Sequence, residues 1–181
     1  MSRHLWLVKS EPSVFAWDDL WASVDRRTCW DGVRNDQARN FMRDEMKVGD
    51  GVLFAHSRTD PPAVVGVATV CREAYPGPTQ FDPSDAHFDP RSEREAPRWM
   101  MVDIEAARAF TRAVPLAQIR ANRKLAKMAL VQRGQRLSVQ PVTPRTVARG
   151  TADGRPGGVW DPAAAQAPGQ RKVKTPAVAA P

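Results

Sequence analysis

Long apolar runs, histidines and cysteines are all scarce in this chain, and each scarcity closes off a class of function. The longest apolar stretch, residues 63–70, is strand-sized, well short of the ~20 residues that span a bilayer as a helix. Four apolar residues stand in a row before Lys9, too few for the core of a secretory signal. A cytoplasmic, non-membrane protein is therefore expected. Two cysteines, Cys29 and Cys71, are too few for a disulfide scaffold or a zinc site and read as buried, reduced thiols. Three histidines, His4, His56 and His87, show no HxH or HExxH spacing, so no metal is expected. No glycine-rich loop leads from a strand into a helix, so neither a P-loop nor a dinucleotide fingerprint is present. No cofactor is expected.

What the chain does have is positive charge, tryptophan and a composition boundary. Lys and Arg number 27 against 20 Asp and Glu, a net charge of +7, which favours anionic partners, nucleic acid first among them. The 181 residues suit one domain and a tail. From Thr151 to Pro181 there are five Pro, four Gly and eight Ala, too little apolar surface to offset the entropy of ordering. The reading is a domain over 1–150 and a disordered tail over 151–181, ending in the basic patch Arg171, Lys172 and Lys174.

Within the domain, residues 5–8, 52–55, 63–70 and 99–104 read as strands. The loop HSRTDPP between the second and third suggests an antiparallel pair, and Gly66 inside a strand suggests a bulge or tight bend. Residues 34–46 predict a helix with Ala38, Phe41, Met42 and Met46 on one stripe, ended near Gly49. A second helix is expected from Pro115. If it runs on, Arg120, Arg123, Lys124 and Lys127 share one arc, either a phosphate-facing stripe or a solvated face. Strands with short helical insertions and no βαβ rhythm point to an α+β fold, a small mixed β-barrel.

Catalytic constellations are weak. Lys9-Ser10 invites a serine–lysine pair, but neighbours on a strand point to opposite faces, and His56-Ser57 meets the same objection. Six tryptophans are more informative. Trp30 sits in the turn-like context CWDG. Alternation in WMMVDI puts Trp99 and Asp103 on one face with Met101, a mixture suited to a cavity wall.

The blocks WLVKSEP, WDDL, CWDGVRNDQARNFMRDEMKVGD, FAHS, EAYPGPTQFD, PRWMMVD and RLSVQP follow in order over about residues 4–148. Together they resemble the EVE domain, a PUA-like family with many bacterial members. The resemblance implies an α+β PUA-like β-barrel with short flanking helices, acting as a non-catalytic reader of modified bases such as 5-methyl- or 5-hydroxymethylcytosine in DNA. It places a base pocket at Lys9 and Ser10, with Trp30, Asn35, His56, Ser57, Tyr75, Phe81, Trp99 and Asp103 at matching positions. Arg39 and Arg43 join Arg120, Arg123, Lys124 and Lys127 as candidates for phosphate contact. One departure is Ala16, where relatives often carry a hydroxyl before the WDDL-like turn. A lost cap costs about 1 kcal/mol, and Asp18 or Asp19 is a possible substitute. The expected partner is nucleic acid carrying a modified base, DNA favoured over RNA, bound by a monomer. An RNA-binding PUA module, and behind it an enzyme acting on a nucleobase, are the alternatives.

Overall fold

The computed structural model of the chain describes residues 4–125, 130, 132 and 137–142. Strand β1 (Leu5–Ser10) leads into helix α1 (Trp17–Ala22), strand β2 (Arg27–Trp30), helix α2 (Asp36–Asn40) and strand β3 (Gly51–His56). Two long strands follow, β4 (Ala63–Pro76) and β5 (Met100–Pro115), then helix α3 (Leu116–Ala121) and strand β6 (Val139–Val142). The strands form one sheet in the order β2-β5-β4-β3-β1-β6. β1 and β3 are parallel, and the other four ladders are antiparallel. The mixed α+β architecture is as expected. The sheet does not close into the barrel expected from the sequence: β2 and β6 stand at its two edges, with no ladder joining them among the described residues.

The central strands are apolar without alternation because both faces of the sheet are covered. On one face Trp6, Val8, Val52 and Phe54 pack against Trp17 and Leu20 of α1 and against Ala38, Met42 and Met46. On the other, Leu7, Leu53 and Ala55 pack against Ile119, Leu125 and Leu130. A buried carboxylate locks the start of the parallel pair. Asp50 accepts the His4 N–H at 2.9 Å, the Trp6 indole N–H at 3.0 Å and the Lys47 N–H at 3.0 Å.

Local sequence explains most of the helices. Asn35 caps α2, its Oδ1 accepting the Ala38 N–H at 3.0 Å. The helix then widens into a π-helical turn over Phe41–Glu45, and Gly49 takes φ +90° in the turn that follows. The stripe of Ala38, Met42 and Met46 is fully buried, as its spacing requires.

The helix after Pro115 does not run on to carry the expected basic stripe. Pro115 caps α3, the helix stops at Ala121, and a separate 3-10 turn spans Arg123–Leu125. Ile119 and Leu125 explain the break. A regular helix advances ~100° per residue and would set these side chains about 120° apart, yet both belong to one apolar cluster. The extended backbone of Asn122 lets both reach it. Arg120 and Arg123 are exposed on different elements, while the Lys124 side chain, Lys127 and the 151–181 tail lie outside the described residues.

Two further expectations change. Trp30 is the last residue of a strand rather than part of a turn, because β2 pairs with β5 and sets Trp30 against Val102. Cys29 is exposed and Cys71 partly buried, since Cys29 lies on the outward phase of an edge strand.

Gly66 marks a register shift between β4 and β5, the irregularity anticipated for it. A Cβ there would meet Trp17 Cζ2 at 2.5 Å, and the indole is itself buried. Gly66→Ala is therefore expected to destabilise the fold by about 1–3 kcal/mol through overpacking, read from the midpoint of urea unfolding.

Candidate functional site

Parallel pairing of β1 with β3 brings the ends of both strands together. Ser10 stands opposite His56 and Lys9 opposite Ala55. The chain leaving β3 stays close, because Ser57 donates its N–H to the Ser10 carbonyl at 2.8 Å and its hydroxyl to the same oxygen at 3.2 Å. Ser10 Oγ donates to the Phe15 carbonyl at 2.7 Å. That bond uses the hydroxyl proton and leaves the oxygen able to accept. The turn after β1 is tied to the turn after β3 by an ion pair from Arg58 to Glu11, 3.2 Å long.

An aromatic cluster lies directly below, centred on Phe54. Trp17 and Trp30 each meet it edge to face at 5.4 Å, His56 does so at 5.8 Å, and Phe15 lies at 6.5 Å. Trp30 is 8% exposed. The Trp17 indole N–H is buried and has no hydrogen-bond partner among the described residues. Such an orphan donor is costly and gives the apolar cluster a polar point.

His56 serves structure as well as site. Its Nε2 accepts the Trp17 N–H at 3.0 Å, so the ring is neutral with its proton on Nδ1. Asp19 accepts the Ala16 N–H at 2.7 Å. Between them the two side chains cap α1, which begins after an alanine unable to do so. Burial pushes the His56 imidazole below its ordinary value, against the opposing pull of Asp18 and Asp19. Burial likewise lowers the Lys9 ammonium.

The remaining candidates from the sequence fall into separate groups. The Asn35 side chain caps α2. Tyr75 donates its hydroxyl to Asp103 Oδ1, with the Arg72 guanidinium 3.7 Å from its ring centre. Burial first, and then the Asp103 carboxylate, keep that phenol protonated. Trp99 is buried elsewhere, with its indole N–H on Asp89 Oδ2 at 2.9 Å. Phe81 sits beneath Arg94, 5.0 Å from ring centre to guanidinium. Arg39 is occupied by Asp36, Asn40 and the Arg98 carbonyl, and Arg43 by Asp44.

The structure thus gathers Ser10, His56 and Ser57, with Trp30 joined to them through Phe54, whereas Lys9, opposite Ala55, alternates to the face of Leu7 and Leu53. Phe15, Trp17 and Phe54 were not singled out from the sequence. Phe54 is one letter in an apolar strand, and the clue to Trp17 was the WDDL block itself.

Comparison with known proteins gives this arrangement a context. The sequence profile of the EVE domain matches residues 4–149. Thymocyte nuclear protein 1 of Homo sapiens is 41% identical over 160 residues, 79% of this chain and 70% of that protein. Its counterpart in Danio rerio is 44% identical over 155 residues, 76% and 66% of the two chains. Among solved structures, human THYN1 protein in complex with DNA containing 5-methylcytosine superposes with a TM-score of 0.76 at 40% identity, covering 81% of this chain and 94% of that one. A hypothetical protein from Leishmania major gives 0.75 at 43% identity, covering 82% and 92%. The PUA-like fold expected from the resemblance stands with these neighbours.

The lowered His56 value makes stability depend on pH. A histidine whose folded value lies below its free value of 6.5 contributes stability fully above that pH and loses it as the pH falls toward the folded value. Urea midpoints should therefore decline on acidification from pH 7 to pH 5, with a shallower decline in His56→Gln. Parallel declines in both proteins would mean that His56 is not the group responsible.

Proposed function

Because this chain belongs to the EVE domain family, we propose that it is a non-catalytic reader of a modified cytosine in nucleic acid. In this reading the base lodges where β1 and β3 end. The observation that carries it is the human neighbour solved with DNA containing 5-methylcytosine, at 40% identity across 81% of this chain. The excess positive charge of the whole chain agrees with it.

Energetics set what the pocket must supply. Extruding a base from a duplex costs a few kcal/mol, and stacking on an aromatic returns about 1–3 kcal/mol. One ring roughly breaks even, so a second surface is needed. Trp30, 8% exposed, offers one ring, and the part-buried His56 imidazole is the candidate for the second, each packed on the fully buried Phe54. A methyl group adds about 0.8 kcal/mol when buried, a factor of roughly four in affinity. Larger selectivity requires polar matching. Ser10 Oγ, its proton already committed to Phe15, is an acceptor suited to the exocyclic amine that distinguishes cytosine in pairing. Ser57 flanks it, with Lys9 on the other face of the sheet and Asn35, Tyr75, Asp103, Phe81 and Trp99 assigned outer roles. DNA is the favoured nucleic acid because the neighbour's complex is with DNA.

Titration of oligonucleotides carrying 5-methylcytosine, 5-hydroxymethylcytosine or cytosine, across a salt series, tests the reading. A preference for a modified base is expected, and equal affinity for all three would overturn it. Trp30→Ala would confuse the result, because removing so buried an indole costs about 3–5 kcal/mol of stability. Trp30→Phe and Ser10→Ala are the informative variants. Ser10→Ala is expected to weaken binding of the modified strand by about 1–2 kcal/mol while the fold, read by circular dichroism, is kept.

A further inference from the structure

A groove of about 390 Å³ lies over Trp99, and neither Ser10 nor Trp30 lines it. Its floor is held rigidly. The Trp99 N–H donates to Gln80 Oε1 at 2.9 Å, and Gln80 Nε2 donates back to the Trp99 carbonyl at 2.8 Å and to the Gly77 carbonyl at 2.7 Å. Gln80 itself is fully buried. Around the indole stand three guanidiniums, Arg34, Arg39 and Arg98, at 5.3, 5.7 and 5.6 Å from the ring centre.

The rim differs from the floor. Phe88 is 39% exposed, one of few large apolar side chains left in solvent among the described residues. The Arg91 side chain is 71% exposed. Two carboxylates line the groove, Asp36, paired with Arg39 at 2.9 Å, and Asp89. Hydrogen bonds from the Arg91 N–H and the Trp99 indole hold the pKa of Asp89 down to about 2. Its one charge faces two guanidiniums, Arg91 at 3.2 Å and Arg98 at 3.8 Å, which leaves positive charge in excess at the rim. A flat ring in solvent beside unspent guanidinium charge is the pairing that takes a nucleotide, base on ring and phosphate on cation.

The two places lie within reach of one strand. Arg34, which lines this groove, follows Trp30 by four residues. Four residues of extended chain span at most about 14 Å, which stacked DNA covers in about four nucleotides at ~3.4 Å each.

We propose that this groove is a second nucleotide site, holding a residue of the same strand a few positions from the base that is read, with its base on Phe88 and its phosphate on Arg91. The proposal rests on the reading of the chain as a binder of nucleic acid, and it assigns to the groove affinity rather than selectivity.

Phe88→Ala and Arg91→Gln test it, both at exposed side chains whose loss leaves the core intact. The probes are a single-stranded oligonucleotide with one central 5-methylcytosine, its unmethylated twin, and the free nucleoside 5-methyl-2′-deoxycytidine. Phe88→Ala is expected to lower oligonucleotide affinity by about 5- to 150-fold. Arg91→Gln is expected to flatten the plot of log affinity against log salt by about 0.7. Neither variant should change the ratio of methylated to unmethylated affinity or the binding of the nucleoside. If both bind the oligonucleotide as the wild type does while the wild type keeps its methyl preference, the groove is no nucleotide site and the reader survives. That outcome also covers a groove built for an acidic peptide. A changed methyl preference in Phe88→Ala would overturn the separation of the two sites. A wild type that binds no oligonucleotide would remove the reader and the groove together.

Discussion

The parallel alignment of β1 with β3 is the constraint from which the rest of the molecule follows. Parallel neighbours need a crossover of a dozen residues or more. Here that connection is residues 11–50, which carry α1, β2 and α2. It delivers α1 and α2 to one face of the sheet as a cover and sends β2 to the far edge beside β5. Trp17, Trp30 and Asn35 therefore reach their places as parts of a single excursion. Asp50 fastens the pair at its start through three donated hydrogen bonds, and Ser57 fastens it at its end.

Polar groups at the end of this pair have little freedom. Ser10 gives its proton to Phe15, Ser57 gives its own to Ser10, and His56 offers its lone pair to α1. What they can still present is therefore narrowly defined, an acceptor at Ser10 above a cluster of rings. Preorganisation of this kind reduces the entropy lost when a ligand is fixed. The same network explains how α1 starts at an alanine. A strand histidine and an aspartate in the helix's own first turn do what a hydroxyl cap would do.

Much of this architecture was legible in the sequence, for identifiable reasons. Continuous apolar letters at 5–8 and 52–55 announced strands, and Gly66 announced an irregularity in β4. The stripe over 38–46 announced the covering helix. Three features were hidden. Nothing local to β1 says that its partner is β3 rather than its successor, because parallel pairing is decided by the whole excursion. Trp30 looked like a turn residue because β2 is short and on an edge. The helix after Pro115 looked longer than it is because its charges are periodic, while its apolar anchors, Ile119 and Leu125, are not.

The candidate site was partly legible. Lys9, Ser10, His56 and Ser57 were grouped by resemblance; the β1–β3 pair holds Ser10, His56 and Ser57 close, and strand alternation turns Lys9 to the other face. Tyr75 with Asp103, and Trp99 with Asp89, form bonded pairs of their own, a division no one-dimensional pattern encodes. Ser10 and His56 are 46 positions apart in the chain, and every element between them must be threaded before they touch. No fragment of the domain can hold this juxtaposition on its own. On the reading proposed above, occupancy of this place would be all-or-none with folding, and so would double as a readout of the intact native state.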